Sequence, residues 1–206
     1  MSSFRKDDAG KIHILFTSQE SHVLINLVEQ LIELLGGESV LQSHSSEVWG
    51  HDDDPLLRLL GVTGSDAPPD DPVLRRLLPN AYADEQSAGE FRRYTEDSLR
   101  QKKRAHAMAI YEALIPQDEE WSADKPLDRG SIEVSLEQTE IMVWLGGLND
   151  LRLALAVRLG IGENAPNIKE EHQKYELMKE SDPMKAVYAV YSWLGWLQQS
   201  LLDQIL

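Results

Sequence analysis

The sequence predicts a mainly α protein: a single helical domain of about five to seven helices, with a small N-terminal β-hairpin and one further short strand. Three observations support this. Apolar residues recur at three- and four-residue steps over several long stretches, as in amphipathic helices. Strand-like alternation is confined to short segments near residues 4–16 and 131–135. A chain of 206 residues is long enough for one core. We therefore expect residues 1–206 to form one domain.

The N-terminal segment predicts a hairpin followed by a helix. Residues 4–6 and 11–16 flank a turn-prone stretch that ends in Gly10. Thr17 and Glu20 form a capping box, in which each side chain bonds the other's backbone N–H. Apolar residues then recur until two glycines follow Leu35, which places the first helix at about 18–36.

The middle of the chain predicts loops, two short helices and one long helix. Loops are expected at 37–54, 61–72 and 116–130, where serine, proline, glycine or aspartate are frequent. Aspartate–proline pairs begin short helices at 56–60 and 73–78. Residues 84–114 lack proline and should form the longest helix.

The last third predicts a strand at 131–135, a central helix at 137–159 and a terminal helix. Ser135 and Gln138 match a capping box, and apolar residues then occupy nearly the whole helical circumference. After a loop at 161–168 we expect a polar helix at 168–179 and a last helix, capped by Asp182, to about 206. Residues near 12–35 match residues 120 positions later. If this match is an internal duplication, the strands at 11–16 and 131–135 would pair in one sheet; the alternative is a chance match between apolar helices.

Charge and composition exclude several function classes. The chain has 20 basic and 35 acidic residues, a formal charge of −15, and no cysteine. The charge disfavours nucleic acid and anionic membranes as partners. No thiolate nucleophile or cysteine metal site can form. The N-terminus resembles no targeting signal, and the longest apolar stretch is far shorter than the ~20 residues of a membrane span. We expect a cytoplasmic protein.

A basic cluster on the long predicted helix is the first candidate binding site. Six of the 20 basic residues lie within residues 92–104. Arg92, Arg93, Arg100 and Lys103 are the candidates, because guanidinium groups at helical spacing can hold a phosphate or carboxylate. The alternative is a solvated face, in which Arg92 pairs with Glu96 and Arg93 with Asp97.

Charged residues within the apolar helix 137–159 are the second candidate. Asn149, Asp150 and Arg152 do not fall on one polar face, so at least one must find a partner near the core. We expect Arg152 to meet Glu96 or Asp97 in an internal ion pair; a ligand pocket is the alternative. The adjacent Gly146 and Gly147 predict close approach of another helix.

The remaining candidate residues match no known metal-binding or catalytic motif. His44, His51 and the aspartates at 52–54 match no defined metal site, and no catalytic motif occurs, so we predict no metal, no cofactor and no catalytic residue. The aromatic residues of the last helix offer a surface for a protein partner or a homo-oligomer wherever they face outward, and core burial is the alternative. They are Tyr188, Tyr191, Trp193 and Trp196.

Three strings resemble an actinobacterial family of unknown function, the domain of unknown function numbered 2017. They are EFRRYTE at 90–96 with Leu99, Arg100 and Lys103; WL at 144–145 with LNDLR at 148–152 and RLG at 158–160; and YSWLGWLQQSL at 191–201. The resemblance implies a cytosolic protein often encoded beside the adaptor of the Clp protease and near sulfur-carrier and cysteine-synthesis genes. It implies no established activity.

We therefore expect a non-catalytic protein-interaction or regulatory module, linked to Clp-dependent proteolysis by family context. The alternative is an enzyme or sensor for a small anionic molecule, with its site formed by Arg92, Arg93, Arg100 and Arg152.

Overall fold

The computed structural model describes residues 2–36, 66–115, 130–161, 173 and 175–206. Within these ranges the chain is mainly α, as predicted, with five helices and three short strands. In chain order they are β1 (Arg5–Lys6), β2 (Ile12–Phe16), α1 (Ser18–Leu34), α2 (Pro72–Leu77), α3 (Glu85–Leu114), β3 (Ile132–Leu136), α4 (Ile141–Leu159) and α5 (Pro183–Leu202).

The three strands form one antiparallel sheet in the order β1, β2, β3. The predicted hairpin is confirmed, and Gly10 supplies its positive φ of 87°. The two distant strands pair with each other, as the duplication interpretation would require, with Ile12 opposite Leu136. Alternate residues of β2, including Ile12 and Ile14, are buried, so one face of the sheet covers the helices.

The helix α1 begins at the predicted capping box. The Glu20 backbone N–H donates to Thr17 Oγ1 at 3.2 Å, and the Thr17 N–H donates to Glu20 Oε2 at 3.0 Å. Ser2 adds two hydrogen bonds to the same carboxylate. Burial alone would raise the pKa of Glu20, but these donors outweigh it and lower the pKa from 4.5 to about 2.

The low pKa of Glu20 predicts an acid-sensitive contribution to folding. Because the pKa is lower in the folded state, the carboxylate stabilises the fold above about pH 4.5, and this contribution is lost as the pH falls toward about 2. As the pH is lowered from about 4.5 to about 2, the free energy of unfolding measured with urea should therefore decrease less for Glu20→Gln than for wild type. Glu33→Gln, at an exposed position of the same helix, is the control. Equal pH dependence in wild type and Glu20→Gln would contradict the assignment.

The helix α4 occupies the centre, as its all-round apolar pattern predicted. It contacts α1, α2, α3 and α5. Near its start, Trp144 is 1% exposed and packs against the rings of Phe4 and Phe16, at centroid distances of 6.0 and 6.4 Å. Because four helices pack around α4, apolar side chains are needed on almost every side of it.

The predicted capping box of α4 is wrong. Ser135 is a β3 residue paired with His13, and the helix begins only at Ile141, with Glu140 as its N-cap residue. Ser135 therefore cannot cap the helix, because it is part of the sheet. The Glu140 carboxylate accepts a hydrogen bond from the Glu137 backbone N–H.

Several predicted segments lie outside the described residues. They are the loop at 37–54, the helix at 56–60, residues 61–65 of the loop at 61–72, nearly all of the loops at 116–130 and 161–168, and half of the helix at 168–179. No helix in the described ranges is long and apolar enough to span a bilayer.

Candidate functional site

The long helix α3 is divided into two unlike halves. Beyond Lys103 its buried residues are the apolar Ala107, Ile110 and Leu114, on the half that packs against α1 and α4. Before Lys103 only Ala88, Gly89 and Arg92 are buried. The first half is therefore open to solvent over much of its circumference, and it carries most of the predicted site.

Arg92 is a buried cation held by internal acceptors. Its side chain is 5% exposed; Nη1 pairs with Glu96, and Nη2 donates to the Leu78 carbonyl at 3.2 Å and to Asn80 Oδ1 at 2.7 Å. These bonds fix the chain segment before α3 against the helix. The predicted pair of Arg92 with Glu96 is confirmed.

Arg100 completes a three-residue charge network. Its Nε and Nη2 both donate to Glu96 Oε1, at 3.0 and 2.8 Å. The Glu96 carboxylate thus accepts from two guanidinium groups and is 14% exposed. One carboxylate between two arginines leaves a net positive charge of one on this network.

Lys103 and Asp150 join α3 to α4. Lys103 Nζ lies 2.6 Å from Asp150 Oδ1, and their side chains are 15% and 3% exposed. The internal ion pair expected for α4 therefore exists, but between different residues. A buried charge of this kind requires its partner, because an isolated buried charge is strongly unfavourable.

The expected contact of Arg152 with Glu96 or Asp97 is wrong. Arg152 donates to Gln198 and lies over the Tyr191 ring, 5.3 Å from its centroid, with both partners on α5. Two residues along a helix correspond to a rotation of about 200°. Asp150 faces α3, so Arg152 faces the opposite neighbour, and the four arginines of the alternative site do not converge.

The remaining predicted residues lie at the surface. Arg93 pairs with Asp66 at 2.8 Å, with both side chains about half exposed, and not with Asp97 as expected. Asp97 accepts from Gln101 instead. Asn149 is exposed on α4.

A cleft beside the first half of α3 was not predicted. Its volume is about 400 Å³, and it lies between α3 and the segment 78–81 that precedes the helix. Its walls include the apolar Leu78, Phe91 and Leu99, with Arg92 and Glu96 among the polar residues and Lys102 at the far end of the helix face. The spacing of Phe91, Thr95, Leu99 and Lys102 on one helix face was the available signal.

The close helix approach predicted from the two glycines is confirmed. A Cβ on Gly146 would overlap the His106 ring, and one on Gly147 would lie 2.6 Å from Ile110 Cδ1 and 3.2 Å from the His106 carbonyl oxygen. Burial lowers the pKa of His106, while the Asp150 carboxylate acts in the opposite direction. This crossing is therefore a tightly packed structural contact.

The predicted metal candidates and the aromatic residues of the last helix have different outcomes. The predicted metal candidates at 44 and 51–54 lie outside the described residues, within which no group of three or more ligating side chains occurs. Of the aromatic residues considered for a partner surface, Trp193 is only 7% exposed and belongs to the core, whereas Trp196 is 48% exposed. The Trp196 indole N–H donates to the Ser2 carbonyl at 3.1 Å, so this ring covers the N-terminal segment.

Comparisons with known proteins give a family and regulatory relatives. Residues 1–205 match a family described as "Domain of unknown function (DUF2017)". The chain is 31% identical over 155 residues to proteins named "Oxidative stress regulator AosR" in Mycobacterium tuberculosis and Mycobacterium bovis. That alignment covers 72% of this chain and 65% of each relative. The Mycobacterium leprae relative, named "Putative oxidative stress regulator AosR", is 31% identical over 153 residues, with the same coverage. No solved structure matches significantly.

Proposed function

We propose that this chain, which belongs to the DUF2017 family, is a non-catalytic regulatory module that binds a protein partner through the first half of α3. The observation that carries the proposal is a group of three exposed aromatic rings at this end of the molecule. Tyr82 is 50% exposed, Phe91 43% and Tyr94 63%. We call these three residues the aromatic surface.

The aromatic surface has the composition of a protein interface. Aromatic residues are enriched where proteins bind each other, and a few of them usually supply most of the binding energy. Tyr82 and Phe91 already contact each other edge to face, with centroids 5.7 Å apart. This contact reduces the freedom that the two rings would lose on binding, which favours association.

The charges around the aromatic surface are mixed in sign. Arg93 and Lys102 are exposed on this half of α3, and so are Glu85, Glu90 and Asp97; Arg93 also pairs with Asp66. The charges therefore do not select the sign of the partner, and the proposal rests on the aromatic rings.

The regulatory part of the proposal is supported by the relatives' names. The aligned region covers 65% of those proteins, so their role comes to this chain as a proposal. This chain contains no cysteine. Any response to oxidants carried by these 206 residues would therefore use no thiol of its own.

A link to Clp-dependent proteolysis is the finer part of the proposal. Its support is the gene neighbourhood that the family resemblance implies. Co-purification of the Clp adaptor with the tagged chain from an actinobacterial lysate would test this link. The cytoplasmic location expected from the sequence is proposed with it.

A paired substitution tests the aromatic surface. Tyr94→Ala should reduce capture of the partner from an actinobacterial lysate at least tenfold, because loss of a central aromatic side chain commonly costs about 2 kcal/mol or more of binding energy. Met142→Ala is the control, since Met142 is 68% exposed at the start of α4, a helix that meets α3 at Lys103, His106 and Ile110 and not at the aromatic surface. The same partner should be quantified in all three pull-downs at low salt.

Two results would contradict binding through the aromatic surface. Equal capture by wild type and Tyr94→Ala, or equal losses in Tyr94→Ala and Met142→Ala, would show that the partner does not use the aromatic surface. Circular dichroism of each variant confirms that the fold is retained.

A further inference from the structure

We infer that the cleft between α3 and residues 78–81 binds a small amphipathic carboxylate, with an acyl body along the helix and its anionic group at Lys102. This inference goes beyond the proposed function and does not depend on a protein partner. It rests on the shape of the cleft, the polar groups within it and the charge at one end.

The shape of the cleft suits a narrow apolar body. Its volume of about 400 Å³ lies within the roughly 300–1,000 Å³ typical of small-molecule sites. The residues of α3 that line it run from Ala88 to Lys102, a length of about 21 Å at 1.5 Å per residue. Leu78, Phe91 and Leu99 offer apolar contacts along this length.

The carboxylate and amide oxygens of the cleft already accept hydrogen bonds. The Glu96 carboxylate accepts from Arg92 and from Arg100. Asn80 Oδ1 accepts from Arg92. The carboxylate and amide oxygens in the wall therefore have no need of a donor from a ligand.

Nitrogen donors of the wall remain available. The Thr95 and Ser98 hydroxyls already donate to backbone carbonyls of α3. Asn80, whose oxygen is held by Arg92, retains an NH₂ group with two donors. Lys102 is exposed and has no ion-pair partner in the described part of the chain. The ligand that complements such a wall presents acceptor atoms, and a negative charge suits Lys102 best.

The charge balance selects the same ligand. Arg92 and Arg100 share the single carboxylate of Glu96, and Lys102 adds a second uncompensated positive charge. A carboxylate near Lys102 would reduce this excess. An uncharged molecule of the same shape would gain the apolar contacts alone.

Isothermal titration with decanoate, below the concentration at which it forms micelles, tests the inference on the full chain. Wild type should bind decanoate with saturation at one site and bind decanol about tenfold more weakly. Lys102→Gln should weaken decanoate binding about tenfold and leave decanol binding unchanged, since one charge-assisted hydrogen bond is lost. Lys6→Gln, at another exposed lysine, should bind like wild type.

A blocking variant locates the site independently of charge. Ser98 is exposed and lines the cleft, so Ser98→Trp should fill it and abolish decanoate binding. Ser192→Trp, at an exposed position of α5, should have no effect. The inference is overturned if wild type does not bind decanoate, or if either Lys102→Gln or Ser98→Trp leaves decanoate binding unchanged. Tyr94 does not line the cleft, so Tyr94→Ala should keep its decanoate binding even if it no longer captures the partner. Decanoate binding and partner capture therefore test the two proposals independently.

Discussion

Asp150→Ala should lower the free energy of unfolding by about 3 kcal/mol, because it leaves Lys103 without its partner at a buried position. The Asp150 side chain is 3% exposed and that of Lys103 15%, so water can replace little of the lost interaction. Urea unfolding at neutral pH measures the change. Asp97→Ala is the matched control, since Asp97 is exposed and bonds Gln101 on its own helix; it should change stability by less than about 0.5 kcal/mol.

A double-mutant cycle separates the pair from its surroundings. Lys103→Met should also destabilise the protein, because it leaves the Asp150 carboxylate buried and unpaired. The double variant Asp150→Ala with Lys103→Met should lose clearly less than the sum of the two single variants. Strict additivity of the two effects would contradict a direct buried ion pair between α3 and α4.

Gly147→Val should be as damaging, with a loss of at least about 3 kcal/mol, because the crossing of α3 and α4 has no room for a side chain. Even the first added carbon would lie 2.6 Å from Ile110 Cδ1 and 3.2 Å from the His106 carbonyl oxygen. Gly147→Ala should lose about 1–2 kcal/mol, although alanine favours a helix interior by roughly 1 kcal/mol over glycine.

Gly195 provides a matched control for the alanine substitution. It also lies inside a helix, but a Cβ there would meet Arg152 atoms only at 3.5–3.6 Å, an ordinary contact distance. Gly195→Ala should therefore leave stability unchanged or raise it by up to about 1 kcal/mol. If thermal or urea unfolding shows the same effect for Gly147→Ala and Gly195→Ala, the close approach is not the reason for the glycine at 147.

Local signals predicted most helices well, and a distant contact explains the main error. The first helix was expected at 18–36 and spans Ser18–Leu34; the long helix was expected at 84–114 and spans Glu85–Leu114. Their caps and apolar periods lie within the elements themselves. The start of α4 could not be found in this way, because Ser135 pairs with His13, which is distant in sequence.

The candidate site was predictable only where its partners are neighbours along a helix. Arg92 and Glu96 are four residues apart, and their pair was predicted from that spacing. The partner of Asp150 was not predicted, because it depends on which side of α4 faces α3. The glycines at 146 and 147 could have identified that side. Asp150 lies four residues after Gly146 and three after Gly147, so it is on the same helix face, which approaches α3.

We propose that α3 has a structural second half and a first half that binds a partner. A photo-crosslinking amino acid placed at position 94, in living actinobacterial cells, tests it most directly. We expect a discrete crosslinked species from position 94 and none from position 142, which is exposed on α4. No adduct at position 94, or the same adduct from both positions, would contradict it.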